Sequence, residues 1–304
     1  MAEVLGKVPL LLDTDIGSDI DDAVALAYLL SQPRCELLGI TTVTGRVDQR
    51  AALAEVLCRA AGREDVPIHA GAGQVLLFGP GQPEVPQYAA IESLPHRRDW
   101  GANTAVEFLR RAIRSRPGEV TLLAIGPMTN VALLFATDPE IPALLKGLVL
   151  MCGVFTGRGG QGPGSREWNA LVDPIATART YQAATAIHRS IGLEVTTQCR
   201  LPAEECRRRF TAAGGALAVV GEMAEVWFKH AREITFHDPL AAATIFEPSL
   251  CRFETGTVTV ETASPQGAGL TYWSPGPPPQ PHEVAVEVNP AAFFEHYFGV
   301  VEGG

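Results

Sequence analysis

Unbroken apolar runs and longer helical ones alternate along the first half of this chain. The run "PLLLD" (9–13) has no polar interruption and reads as a buried strand, and "DDAVALAYLLSQ" (21–32) follows as a helix. The pair then recurs. Strand 35–45 leads to helix 49–62, and a short strand lies at 66–71. The amphipathic helix 103–118 stops at Pro-Gly, and strand 119–126, helix 128–137 and strand 145–153 follow. Strands that are apolar throughout belong to a sheet covered on both faces. Strand–helix alternation implies right-handed crossovers and parallel neighbours. The predicted class is α/β, with a mostly parallel, doubly wound central sheet and helices on both faces. Near the C-terminus, "LTYW" (270–273) and "EVAVEV" (283–288) predict a small antiparallel hairpin with the Pro-rich stretch 274–282 at its tip.

Two other stretches break the rhythm. Residues 72–101 are rich in Gly, Pro and Gln, and 156–166, "TGRGGQGPGSR", are almost all Gly and small polar residues. Loops of that length in compact domains often carry function. There is no internal repeat and no linker that would divide the chain, so residues 1–304 are expected to form one domain.

Composition changes the picture little. With 304 residues, 46% of them hydrophobic, a large core is possible. A formal net charge of -10 argues against nucleic acid or an anionic membrane as partner, since both want a basic face. Six scattered cysteines without a CxxC pair fit a reducing cytoplasm rather than a disulfide framework or zinc site. No apolar stretch reaches the roughly 18 residues of a membrane helix.

The chemistry starts where the first strand gives way to the first helix. "DTDIGSDIDD" holds Asp13, Asp15, Asp19, Asp21 and Asp22 within ten positions. Helix capping accounts for one or two of them. Five carboxylates this close repel one another, and a divalent cation is the simplest neutraliser. All-oxygen donors select Ca²⁺ or Mg²⁺. An EF-hand does not fit: with Asp13 at position 1, Ser18 falls where the turn glycine belongs and Val24 where a Glu is needed. "LLLDTD" also resembles the nucleophile motif of haloacid-dehalogenase-type Mg²⁺ phosphotransferases. That scheme wants a downstream Lys at a strand end, and Lys146 and Lys229 are poorly placed for it.

Three later stretches add polar groups. "AIGPMTN" (124–130) ends a strand with Thr129 and Asn130, where Thr129 could cap a helix. "SREWNALVDP" (165–174) places Glu167 and Asn169 around Trp168, where a solvated loop end is the plain alternative. "ITFHDPLAAA" (234–243) puts His237 and Asp238 before Pro239, where Asp238 could be an N-cap.

In this order along nearly the whole chain, these motifs resemble the inosine-uridine-preferring nucleoside hydrolase family. "LLLDTDIGSDIDDAVAL" is similar to its N-terminal aspartate signature. "GITTVTG", "AIGPMTN", "LVLMCG", "EWN" with "DP", "HDPLA" and "VAVEVNPAAFFEHY" follow. The resemblance implies hydrolysis of the N-glycosidic bond of ribonucleosides in salvage, with one Ca²⁺ at the carboxyl ends of the strands. It also implies a homodimer or homotetramer. Carried over by motif, it implies Asp15, Asp22, the Thr129 backbone carbonyl and Asp238 as calcium ligands, with Asp15 also as general base. Asp21, Glu167, Asn169 and Asp238 would bind ribose hydroxyls, and His237 would stand near the leaving base.

Two departures stand out. Two residues are inserted in the aspartate motif, bringing in Asp19, and Arg46 takes a position where the family often has a substrate-side Asn. Arg46 could touch a substrate group or swing out to a neighbouring acid. No clear asparagine precedes Glu167, and Gln161 is the nearest substitute.

The chemistry suits the residues. Breaking a ribosyl C–N bond builds positive charge on the sugar, which surrounding carboxylates stabilise. Calcium's six to eight oxygens leave room for ribose hydroxyls and water. A Mg²⁺ phosphotransferase and a calcium-dependent ribose-binding protein without turnover are the competing classes. Release of free base separates them.

Overall fold

The computed structural model describes residues 6–157 and 165–303. Most of the glycine-rich stretch 156–166, including Gln161, lies outside the described residues.

Among the described residues, nine strands form one sheet: β1 (Val8–Thr14), β2 (Cys35–Thr42), β3 (Ile68–Ala70), β4 (Thr121–Ala124), β5 (Gly147–Met151), β6 (His188–Ile191), β9 (Cys251–Val260), β10 (Thr271–Pro275) and β11 (His282–Val288). A separate two-stranded ribbon pairs β7 (Arg200–Pro202) with β8 (Glu233–Thr235). The sheet order is β10-β9-β11-β6-β5-β4-β1-β2-β3. From β11 to β3 all neighbours are parallel, as the unbroken apolar runs imply.

β1 shows why its sequence is continuously apolar. Leu10 and Leu12 face one hydrophobic cluster and Leu11 the other, all fully buried. The first cluster receives helices Asp21–Ser31, Val47–Ala60, His237–Phe246 and Pro290–Val301; the second receives Ala105–Ser115 and Thr129–Thr137. Truncating any of the three leucines to Ala would cost about 2–5 kcal/mol, because neither face can collapse around the gap. This is the doubly wound α/β class read from the sequence.

The pairing near the C-terminus differs in one respect. The antiparallel hairpin is β9–β10. Strand β11 also pairs with β9, on its other edge, so the stretch between β10 and β11 passes across β9 rather than closing a hairpin. In its second half β9 buries Gly256 and Val258 while Thr257 and Thr259 are more open, so one face of this end of the sheet meets solvent. The strand expected over 35–45 ends at Thr42, because Thr44 (φ 61°) and Gly45 (φ 62°) turn through the left-handed region.

Topology places the site. From β1 the chain goes to β2 and β3 on one side, then returns to β4 and β5 on the other. The loops leaving β1 and β4 therefore diverge and leave a crevice at the carboxyl edge, the usual binding position in an open α/β sheet.

Candidate active site

A cavity of about 490 Å³ opens at that crevice. Its acidic wall comes from the turn after β1: Asp15, Asp19, Asp21 and Asp22 line it, and Asp238 meets them from helix His237–Phe246. The turn can be this tight because Gly17 adopts φ 115°, where a side chain would collide with Val85 and Leu53. Thr14, the last residue of β1, donates its hydroxyl to Asp22 Oδ1 at 2.5 Å. The Asp238 N–H donates to Asp21 Oδ2 at 3.0 Å, joining the two segments.

Carboxylate oxygens of Asp21, Asp22 and Asp238 lie within 4.8 Å of one another, and all three residues are buried. Burial, followed by repulsion from neighbouring aspartates, pushes all three well above the usual carboxylate range. Burial also raises Asp15, against the pull of the Arg50 guanidinium, and pushes Asp19 up to about 6. An all-oxygen donor set under such repulsion fits a hard divalent cation. Asp15 lies outside this trio but in the same cavity.

Asp13 has a different job. It is fully buried at the level of Thr41 and Ala124 in the sheet, with Oδ1 accepting from Thr41 and Asn130, and it does not line the cavity. Asn130 in turn bonds the Thr42 carbonyl and the Ala72 N–H, tying β1, β2 and the following loop together.

The opposite wall comes from the ends of β4 and β5. Ile125 and Met151 line the cavity, and Asn169 Nδ2 donates to both of their carbonyls, at 2.7 and 3.0 Å. Glu167 is buried, not the solvated loop end that a sequence reading allows. It caps helix Trp168–Val172, accepting from the N–H groups of Asn169 and Ala170, and also from Gly153. Trp168, Trp227 and Leu193 add apolar surface. His237 lines the cavity, and its Nδ1 lies 2.7 Å from the Thr196 hydroxyl. Burial, then Arg200, pushes its pKa down to about 4, so the ring is neutral at pH 7.

Asp15, Asp21, Asp22, Glu167, Asn169, His237 and Asp238 thus meet in one cavity; Thr129 and Arg46 do not. Thr129 opens helix Thr129–Thr137, so its carbonyl is directed along the helix, and its hydroxyl donates to Asp173 at 2.8 Å. The residue of "AIGPMTN" that reaches the cavity is Ile125, where the strand ends and its carbonyl is not committed to a ladder. Arg46 points to solvent and pairs with Asp48 at 3.4 Å. The left-handed turn at Thr44–Gly45 swings it outward, and an exposed guanidinium avoids a large desolvation cost.

Sequence reasoning missed Arg50. It is fully buried, and beneath the acidic turn it donates to the carbonyls of Thr44 (2.8 Å), Ile16 (3.0 Å), Gln82 (2.8 Å) and Asp15. A signal existed: Arg50 sits on the apolar stripe of its helix, with Val47, Ala54 and Leu57. Among the described lining residues six are carboxylates and Arg166 is the one Lys or Arg. The lysine that a phosphotransferase needs is not there.

The inosine-uridine preferring nucleoside hydrolase family matches residues 10–295. Uridine nucleosidase 1 of Arabidopsis thaliana is 31% identical over 86% of this chain and 80% of its own length. The non-specific ribonucleoside hydrolase RihC of Salmonella agona is 34% identical over 86% of both chains. In three dimensions, a purine-preferring ribonucleoside hydrolase from Gardnerella vaginalis superposes with a TM-score of 0.83 at 25% identity, covering 97% of this chain and 98% of that one. With the motifs in family order and the cavity where the sheet's topology puts it, the chain belongs to the inosine-uridine-preferring nucleoside hydrolases and is a nucleoside N-glycosyl hydrolase.

Proposed function

We propose that this enzyme hydrolyses ribonucleosides to free base and ribose in a calcium-dependent reaction. The observation that carries the reading is the buried trio Asp21, Asp22 and Asp238, which lines the same cavity as Asp15. Asp22 and Asp238 are the proposed calcium ligands, with Asp15 at the edge of the same shell. The main-chain ligand from the β4 loop is assigned to Ile125 in place of Thr129. Calcium bound there would supply a fixed positive charge that orients the ribose diol and the attacking water.

The chain's own groups do the rest. Asp15 accepts the proton of the water that attacks C1′. The C1′–N bond breaks with its electron pair going to the base, and positive charge grows on the ribose ring. Asp21, Asp238 and Glu167, all buried, surround that charge, and burial strengthens their field. Asn169 has both amide protons committed to the strand ends, so it offers its Oδ1 to a ribose hydroxyl. Gly126 lets the loop after β4 lie close to Asp15, since a side chain there would meet the backbone and carboxylate of Asp15. His237, neutral and held by Thr196, presents Nε2–H to the leaving base when Nδ1 accepts from the hydroxyl. Trp168 and Trp227 provide faces on which a base can stack.

The test is a panel of purine and pyrimidine ribonucleosides, each assayed for free base and reducing sugar with and without a calcium chelator. Base release that chelation abolishes and calcium restores is the expected result. Release undiminished by exhaustive chelation would overturn the calcium assignment, and no release from any ribonucleoside would overturn the substrate class.

A further inference from the structure

Arg50 makes contacts that the proposed chemistry does not use. Its guanidinium is fully buried and, among the described residues, hydrogen-bonds to no carboxylate. Instead it reaches three separate segments. Nη1 donates to the carbonyls of Asp15 and Ile16 and to the Ser18 hydroxyl at 3.0 Å. Nη2 donates to the carbonyls of Gln82 (2.8 Å) and Glu84 (3.5 Å). Nε donates to Thr44, whose own hydroxyl accepts the Gln82 N–H at 3.1 Å.

The same two loops are joined around this core. Ser18 Oγ donates to the Glu84 carbonyl at 3.0 Å. The Gln87 side chain donates to the Ser18 carbonyl at 3.2 Å, and the Gln87 N–H to the Gly17 carbonyl at 3.2 Å. Gly17 lies against Val85 with no space for a side chain. Segment 82–87 is therefore a backing layer for the aspartate turn, and Gln82 carries that layer up to the cavity wall. Burying an arginine without a hydrogen-bonded acid is expensive unless nearly every N–H finds an acceptor. Here each guanidinium nitrogen does.

We propose that Arg50 is a positioning residue that locks the turn at residues 15–18 to segment 82–87, so that one guanidinium sets both the site's grip on its cation and the place of Gln82 in the cavity wall. A lysine cannot replace it, because a single ammonium cannot span acceptors spread across a planar fork. The link between the two loops stands on hydrogen bonds alone; its effect on cation affinity rests on the calcium reading above.

The experiment compares the full-length wild type with Arg50→Lys, both free of metal. Hydrogen exchange of peptides covering 15–20 and 82–88 is measured, then binding of Ca²⁺ alone by calorimetry. Exchange should rise together in both segments, with the strands of the sheet unchanged, and calcium affinity should fall by about 10–100-fold, as for other residues that orient metal ligands. Wild-type protection in either segment, or wild-type calcium affinity in the variant, would overturn the proposal. Should Arg50→Lys not fold, Ser18→Ala removes one link of the same lock, and a rise of about fivefold is expected in both segments. Protection unchanged in either one overturns the idea equally. If the wild type binds no calcium, the calcium reading fails, while the exchange result still decides the lock.

Discussion

Two groups of carboxylates in this protein are treated in opposite ways. Asp138, at the end of helix Thr129–Thr137, accepts from Arg114 at 2.6 and 2.7 Å and from Arg110 at 2.9 Å, which push its pKa down to about 2. Among the described residues, no such cation hydrogen-bonds the side chains of the cavity's aspartates. Burial and mutual repulsion push Asp21, Asp22 and Asp238 up instead. A compensated acid contributes to the fold. An uncompensated cluster costs the fold something, and that cost is recovered only when a cation arrives. The comparison separates acids that serve stability from acids that serve a ligand.

The largest test of that separation is Asp15→Asn. Turnover of a ribonucleoside should fall about 10³-fold, within the range for loss of a general base, while the unfolding midpoint of the metal-free protein stays the same or rises. A variant that keeps near-wild-type kcat would remove Asp15 from the base role. Next comes the metal. Calcium at 100 times its Kd should stabilise the wild type by about 2.7 kcal/mol in thermal unfolding. Asp22→Asn should lose most of that shift, yet melt no lower than wild type without metal. A large drop in the metal-free Asp22→Asn protein would erase the distinction.

A buried group of the other sign sharpens it. His188 on β6 stacks on Tyr181, and burial followed by the neighbouring His282 pushes its pKa down to about 3. The unfolded chain binds a proton near pH 6.5, well before the folded one does. Stability should therefore be full above about 6.5 and fall as pH drops toward 3, by up to about 1.4 kcal/mol per pH unit. His188→Gln should flatten part of that slope in denaturant titrations at several pH values; an unchanged slope would reject the assignment. The smallest effect is expected from Asp138→Ala. It should lower the midpoint by less than calcium raises it, and only above pH about 4, since the contribution of a depressed acid vanishes as pH falls through its folded pKa of about 2. A midpoint that does not fall would mean that the ion-pair cluster does not stabilise the fold.

Part of the site was legible because local patterns encode it. Five aspartates between an apolar strand and an apolar helix cannot be surface decoration, and "HDP" at the start of a helix supplies their distant partner. Other parts were not legible. Whether Arg46 or Arg50 turns inward depends on a left-handed turn at Thr44–Gly45 and on which carbonyls wait beneath the aspartate turn. Four residues along a helix are a small change in sequence and the difference between solvent and core. The resemblance makes Thr129 a ligand candidate, but the helix begins at that residue and directs its carbonyl along the helix. For Glu167 the preceding glycines leave a solvated loop end open beside a ribose-binding role, and its buried cap position removes the first.

What the sequence determined by itself is the alternation of fully apolar strands with helices, and with it a parallel sheet whose carboxyl edge gathers acids. These are local facts, set by periodicity and by the repulsion of neighbouring charges. Only the tertiary structure decided that β9 comes between β10 and β11, that Ile125 reaches the cavity, and that a buried arginine joins two loops behind it. Those outcomes depend on register and on where a charge finds enough acceptors to leave water, and neither quantity is carried by any one stretch of chain.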